Sequence, residues 1–213
     1  MTGTASAGVS ELTYREALRR ALADQLAGDP DVLLLGEDIG AYGGIMFMDF
    51  SLVAADQLLN QAAKMRYLSG DQWKVPLTVR TQQGVGAGTA AQHSQCLEAL
   101  FMHVPGFAIA LPAFPADAKG LLSEAIQLDS PALVIEHKAL YGSRSVHTCL
   151  DAAQSLAADG ISAEVIDLRT LVPLDMAAVV ESFSRTRRLV LVHEAHRNCG
   201  PAAEIAARVT EQA

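Results

Sequence analysis

From Thr13 to Thr210, stretches with apolar residues at helical spacing alternate with short, nearly continuous apolar runs. Thr13-Tyr-Arg-Glu16 has the form of a capping box, in which a Thr hydroxyl and a Glu carboxylate satisfy exposed backbone donors. It opens a helix with Leu18, Leu22 and Leu26 on one stripe, stopped by Gly28-Asp-Pro30. Val32–Leu35 reads as a strand buried on both faces, and a second helix is expected from Ser51 to about Tyr67. The β-branched run Val75–Thr81 reads as a strand that leads into three alternating glycines, Gly84, Gly86 and Gly88. Glycine lets the backbone turn with positive φ and lets another group approach closely. A helix is expected from Ala90 to Phe101, with His93 in its first turn. A strand at Phe107–Leu111, a helix at Pro115–Ile126 with proline near its start, and a strand at Ala132–Glu136 follow. Helices alternating with apolar strands predict an α/β fold with a parallel sheet.

The alternation resumes after Tyr141-Gly142 with helices at Val146–Ala158, Asp175–Phe183 and Pro201–Thr210 and strands at Ala163–Leu168 and Leu189–His193. Two strands and three helices make a thin core for an independent domain, so this unit either leans on a partner or lacks a piece.

Composition narrows the possibilities. Half of the 213 residues are apolar, few are aromatic and alanine is abundant, which predicts an aliphatic core with closely packed helices. A net charge of −8 with scattered basic residues argues against nucleic-acid binding. No apolar stretch reaches membrane-spanning length, and residues 1–10 lack the basic start and the apolar centre expected of a signal peptide. The dispersed Cys96, Cys149 and Cys199 fit reduced thiols in a cytoplasmic protein rather than a disulfide framework or a zinc site. His193-Glu-Ala-His196 is not a zinc spacing, and its histidines read as satisfied surface or interface residues. Gly86-Ala-Gly-Thr-Ala-Ala91 fits a dinucleotide-binding glycine pattern, but the next strand ends in Leu111-Pro112 without the acidic residue that such a site needs.

Six segments carry a more specific signal: Leu33-Leu-Leu-Gly-Glu-Asp38, Met46-Phe-Met-Asp-Phe50, Asp56-Gln-Leu-Leu-Asn-Gln-Ala-Ala-Lys64, Ala90-Ala-Gln-His-Ser-Gln95, Asp117-Ala-Lys-Gly-Leu121 and Val165-Ile-Asp-Leu-Arg-Thr170. In this order they resemble the beta subunit of the thiamine-diphosphate-dependent decarboxylating component of 2-oxoacid dehydrogenase complexes, of pyruvate, branched-chain or acetoin type. The resemblance covers nearly the whole chain after residue 11. It implies a transketolase-like pyrimidine-binding domain at residues 11–142 and a transketolase C-terminal α/β domain at 145–213. It also implies an alpha subunit that holds the diphosphate and Mg²⁺ in an α₂β₂ heterotetramer, with acyl transfer to the lipoyl groups of an acyltransferase core. Met46 and Phe50 would pack near the cofactor's pyrimidine ring, and His93 would face the reacting centre as proton donor or orienting group. On the residues alone, Met46 and Phe50 read as ordinary core and His93 as a helix-start histidine bonding a carbonyl. The family's monovalent-cation site, a candidate K⁺ site built largely of carbonyls, maps to Leu77, Ala125, Ile126, Leu128 and Ser130, with Leu128 in place of a common acidic residue.

The chain also departs from this family. The resemblance implies a few tens of residues between Gly44 and Ile45, with an Ile-Ser-Glu motif whose Glu activates the cofactor by bonding its aminopyrimidine. None of that is in the sequence. A second gap falls near Arg144-Ser145, where the family has a linker and the first strand of the C-terminal domain. A third falls after Ala213, where a terminal strand is usual. Two readings are open: the sequence joins parts of a longer chain, or the protein is shortened and cannot activate the cofactor by the family route. The first is the expectation, since deleting a central strand leaves unpaired backbone groups and an open core.

Overall fold

The computed structural model describes residues 12–36, 44–85, 89–141, 148–196 and 198–212. Gly86, Gly88 and the junction at Arg144-Ser145 lie outside them. Helix α1 (Tyr14–Gly28) starts at the expected capping box: Glu16 N donates to Thr13 Oγ1 at 3.3 Å and Thr13 N to Glu16 Oε2 at 2.8 Å. Such a cap contributes about 1 kcal/mol. The buried stripe is Tyr14, Ala17, Leu18 and Ala21, rotated from the expected one, and Leu26 is exposed. Small residues on this face let α1 lie close against Ala118, Leu122 and Ala125.

The expected helix at 51–67 forms as three consecutive stretches: a 3₁₀ turn at Met48–Leu52, a π-helical segment at Asp56–Ala62 and α2 (Ala63–Leu68). Strand β1 (Thr78–Gln83) is followed by the glycine turn, but the long helix expected from residue 90 is broken. His93 closes a 3₁₀ turn, Ala91–His93, and α3 covers only Glu98–Met102. The break begins at Ala90, whose φ of 64° cannot belong to a right-handed helix. Next come β2 (Ala108–Ala110), α4 (Pro115–Ile126), β3 (Ala132–His137) and a 3₁₀ turn, Lys138–Leu140. The second unit contributes α5 (Thr148–Ala158), β4 (Thr170–Val172), α6 (Met176–Thr186) and α7 (Pro201–Gln212).

The sheet runs β1-β3-β2-β4. Its first three strands are parallel, as expected, while β4 is antiparallel to β2 and brings a strand of the second unit onto the sheet of the first. Strand β3 is central and alternates between two cores. Leu133 and Ile135 pack with Val79, Ile109, Phe101, Phe107 and Met48, whereas Ala132 and Val134 pack under α1 and α4. A third cluster joins α6 and α7 through Met176, Val179, Ile205 and Val209. An ion pair is buried in the sheet: Arg80 Nε and Nη2 donate to Glu136 at 2.7 and 3.0 Å, and the Tyr141 hydroxyl donates to Glu136 Oε2 at 2.6 Å.

Three expected strands do not form. Residues 32–35, 163–168 and 189–193 have no strand pairing, and Leu33, Leu35, Val190 and Val192 are 71 to 84% exposed. A strand needs a neighbour for its backbone groups, and an apolar run alone does not supply one. Among the described residues the outer edge of β1 has a single bridge, Ile45 to Thr81, with Ile45 N donating to Arg80 O at 2.9 Å. Gly44 and Ile45 are consecutive in this molecule, so the family's segment cannot supply a strand at that point. The first strand expected of the C-terminal domain is likewise absent from the sequence near Arg144-Ser145, which leaves 163–168 and 189–193 without a partner.

Candidate functional site

Loops leaving the carboxyl ends of parallel strands are where α/β sheets place ligands. At this end of the sheet, the loop after β1 leads to His93 and the turn after β3 begins with Lys138. The 3₁₀ turn Met48–Leu52 reaches the same place. Met48 is fully buried and anchors it, and Ser51 Oγ donates to Met48 O at 2.6 Å, which fixes its shape. Three rings meet edge to face: His93 lies 4.9 Å from Phe47 and 5.2 Å from Phe50, and the two phenylalanines are 5.8 Å apart. This is a favoured geometry for aromatic pairs.

The structure therefore brings His93 and Phe50 together. Met46 lies four residues before Phe50 and is 37% exposed, while Phe50 is 41% exposed. Neither is core, contrary to what the residues alone suggested: Phe50 meets His93, and Met46 is an exposed neighbour of Phe47, which meets it too. Apolar side chains at a strand-end rim suit an apolar or aromatic ligand face.

Asp49, between these residues, is turned inward. Its Oδ1 accepts from Gln95 Nε2 at 2.8 Å and from Gln95 N at 3.4 Å, which ties the 3₁₀ turn to the segment after His93. Its Oδ2 is buried without a partner, as are Thr81 Oγ1, Gln83 Oε1 and Glu98 Oε2. Burial pushes the Glu98 carboxyl above the usual range, opposed in part by the Gln83 side chain. Burial, with Glu98 and Glu194 nearby, pushes the Cys96 thiol up to about 12, so Cys96 is not a thiolate nucleophile.

The first glycine of the turn has a steric reason. A Cβ at Gly84 would lie 2.1 Å from His137 Nε2, at a φ of 83°. His137 Nδ1 accepts from Ala139 N at 3.3 Å, and its Nε2 lies 3.0 Å from Glu194 Oε2. That same Glu194 oxygen accepts from Val85 N at 3.1 Å, so the second unit holds the start of the loop to His93. Burial alone would raise the Glu194 carboxyl, but the contacts with His137 and the Val85 N–H, and the charge of Lys138, bring it below its ordinary value. A carboxylate with a depressed folded pKa contributes its stability above the unfolded value and loses it as pH falls through the folded one. The Val85 amide is therefore expected to stay protected from hydrogen exchange above pH 4.5 and to lose protection below it. Uniform protection into strong acid would contradict this link.

The five positions mapped to a cation site lie at the opposite end of the sheet. Thr78 Oγ1 donates to Ala125 O at 2.9 Å, Leu128 N to the same oxygen at 3.2 Å, and Ala132 N to Leu77 O at 2.9 Å. Arg66 Nη1 donates to Ser130 Oγ, and Ile126 ends α4. The Leu77 and Ala125 carbonyls thus already accept hydrogen bonds. Among the described residues no group of three or more His, Cys, Asp or Glu side chains could hold a metal ion, and no helix is long and apolar enough to cross a membrane.

The sequence reading missed Phe47, Asp49, Gln95 and Lys138. Lys138 could have been flagged as the first residue beyond a central parallel strand, where site residues concentrate. The other three stand inside the family motifs around Met46, Phe50 and His93, but their contacts span 46 positions and give no local sign of a role.

Comparison with known proteins shows the family and the fold. The family model of the transketolase pyrimidine binding domain matches residues 41–144, and that of the transketolase C-terminal domain matches 141–213. The chain is 34% identical to the beta subunit of acetoin:2,6-dichlorophenolindophenol oxidoreductase from Cupriavidus necator, covering 95% of this chain and 85% of that one. It is 30% identical to the 2-oxoisovalerate dehydrogenase subunit beta of Bacillus subtilis, covering 95% and 85%. It is also 30% identical to the pyruvate dehydrogenase E1 component subunit beta of that organism, covering 96% and 86%. A solved split-gene transketolase, described as an inactive beta4 tetramer, superposes with a TM-score of 0.76 over 94% of this chain and 86% of its own, at 17% identity. That level of identity speaks for the fold alone. The alignment with the acetoin relative runs over 287 positions, whereas 95% of 213 residues is about 202, so about 85 positions have no counterpart in this chain.

Proposed function

The chain belongs to the family of transketolase-like beta subunits of 2-oxoacid dehydrogenases, and from that membership we propose that it forms one wall of a thiamine-diphosphate site shared with an alpha subunit. Family members of this kind depend on thiamine diphosphate. The observation that carries the reading is the His93 ring set edge-on between Phe47 and Phe50 at the carboxyl ends of β1 and β3. Phe50 and Met46 are exposed there and suit the flat apolar face of an aminopyrimidine. Flanked by two rings, the His93 imidazole has little freedom to rotate, which suits a group that orients a substrate or gives it a proton. When bound, thiamine diphosphate supplies the electron sink for loss of CO₂ from a 2-oxo acid.

The residues fit the ring of this cofactor and not its activation. The sequence has no counterpart of the Ile-Ser-Glu segment between Gly44 and Ile45, and Asp49 is buried and bonded to Gln95. In this reading the alpha subunit holds the diphosphate and Mg²⁺ in an α₂β₂ heterotetramer that serves a lipoyl acyltransferase core, and the substrate is pyruvate or a branched-chain 2-oxo acid. A K⁺ ion at Leu77, Ala125, Ile126, Leu128 and Ser130 is part of the same proposal. So is a cytoplasmic location, which keeps Cys96, Cys149 and Cys199 as the free thiols they are.

The test is to mix the chain with an alpha subunit of the family, measure the assembly by sedimentation, and titrate thiamine diphosphate with Mg²⁺ by calorimetry. A 2:2 assembly is expected, and Phe50→Ala should weaken cofactor binding up to about tenfold, the worth of one aromatic contact. Unchanged affinity in Phe50→Ala, or failure of the two subunits to associate, would sink the proposal.

A further inference from the structure

The loop that delivers His93 is fastened at both ends by residues from other parts of the chain. Its front end is Val85, whose N–H donates to Glu194 of the second unit. Its rear end is His93 itself, whose carbonyl accepts from Lys138 Nζ and, at 3.4 Å, from Thr89 Oγ1. Lys138 Nζ also stands 4.8 Å from the centroid of Phe47, the ring that meets His93 edge to face. One ammonium group therefore touches both the backbone of the His93 turn and the ring that flanks its imidazole. A lysine suits this place because its three donors sit on a compact charge that can bond a carbonyl and face an aromatic ring together.

We propose that Lys138 is the positioning residue of the His93 turn, fixing its carbonyl and Phe47 together while Glu194 fixes the start of the same loop. The turn has weak internal support. It is three residues long, begins after a residue at φ 64°, and its backbone bond from His93 N to Ala90 O is long, at 3.3 Å. A 3₁₀ turn of this length does not persist by itself, so its geometry depends on outside contacts. Asp49 with Gln95 supplies one of these, the Phe47 and Phe50 rings hold the imidazole, and Lys138 from the end of β3 bonds the His93 carbonyl. Glu194 meets the loop directly at the Val85 N–H and also lies 3.0 Å from His137 Nε2, the residue just before Lys138.

The importance of this positioning for catalysis rests on the role proposed for His93, whereas the positioning itself does not. The full chain is compared as Lys138→Met, which keeps length and apolar stem but lacks charge and donors, and as Lys138→Arg, which keeps both. Hydrogen exchange is followed by mass spectrometry for peptides spanning residues 89–95, with β3 and α4 as internal references. Lys138→Met is expected to speed exchange in 89–95 by at least about tenfold while β3 and α4 stay unchanged, and Lys138→Arg to restore most of the protection. Exchange in 89–95 that is unaltered by Lys138→Met, or that rises equally in β3 and α4, would overturn the proposal. Loosening of the turn in Lys138→Met together with unchanged cofactor affinity in Phe50→Ala would leave the positioning standing and remove the cofactor assignment instead.

Discussion

Inserting a segment of the kind the family resemblance implies, with its Ile-Ser-Glu motif, between Gly44 and Ile45 is expected to raise 2-oxo acid decarboxylation by this chain, paired with an alpha subunit, by at least about 100-fold. A positioned acid or base contributes about 10²- to 10⁴-fold, and the carboxylate that fills this role in the family has no counterpart here. The insertion acts on structure as well as chemistry. Ile45 now makes the only bridge on the outer edge of β1 among the described residues, and a restored strand would extend that pairing. A second insertion in which the motif's Glu is replaced by Gln separates the two effects, since it should restore pairing without restoring rate. Steady-state rates for the unmodified, inserted and Gln-carrying chains decide the matter. A rate for the unmodified chain equal to that of the inserted one would show that activation comes from elsewhere.

Replacing Glu136 with Leu is expected to destabilise the chain by about 3 to 5 kcal/mol, the usual cost of removing one partner from a buried ion pair. The Glu136 side chain is fully buried and that of Arg80 is 9% exposed, so solvent cannot compensate the guanidinium. The substitution also takes from the Tyr141 hydroxyl its 2.6 Å acceptor. Against a typical total of about 5 to 15 kcal/mol, the loss approaches unfolding at ordinary temperatures. The double replacement Arg80→Met with Glu136→Leu should recover much of it, because two apolar side chains of similar size need no counter-charge. Urea unfolding of the two variants checks this, and a loss below about 1 kcal/mol for Glu136→Leu would mean that water reaches the pair.

The parts of this fold that could be read from sequence are those whose causes are local. Thr13 and Glu16 cap α1 through bonds within one turn, and Pro115 starts α4 where its missing N–H costs nothing. The strand expected at 132–136 forms because both of its faces are covered and both of its edges are paired. Residues 32–35 and 189–193 carry the same apolar signal and do not form strands, since pairing depends on a neighbour that periodicity cannot report. Residues 163–168 show the same failure, and pairing shifts instead to Thr170–Val172, which meets β2. At the site, His93, Phe50 and Met46 were legible only through the family motifs around them, and on their own two of them resembled core. Phe47 and Lys138 stayed hidden, because the contact of each with His93 is created by the fold over some 45 positions.

In the proposed reading this chain is the wall that receives the cofactor ring, and it lacks the carboxylate that activates the cofactor. Exchange of the C2 proton of thiamine diphosphate with solvent deuterium, followed by NMR after acid quench of the chain mixed with its alpha subunit, reads these two properties together. The expected result is saturable binding that depends on Phe50, with C2 exchange no faster than in the free cofactor. Exchange accelerated by the unmodified 213-residue chain would contradict the account.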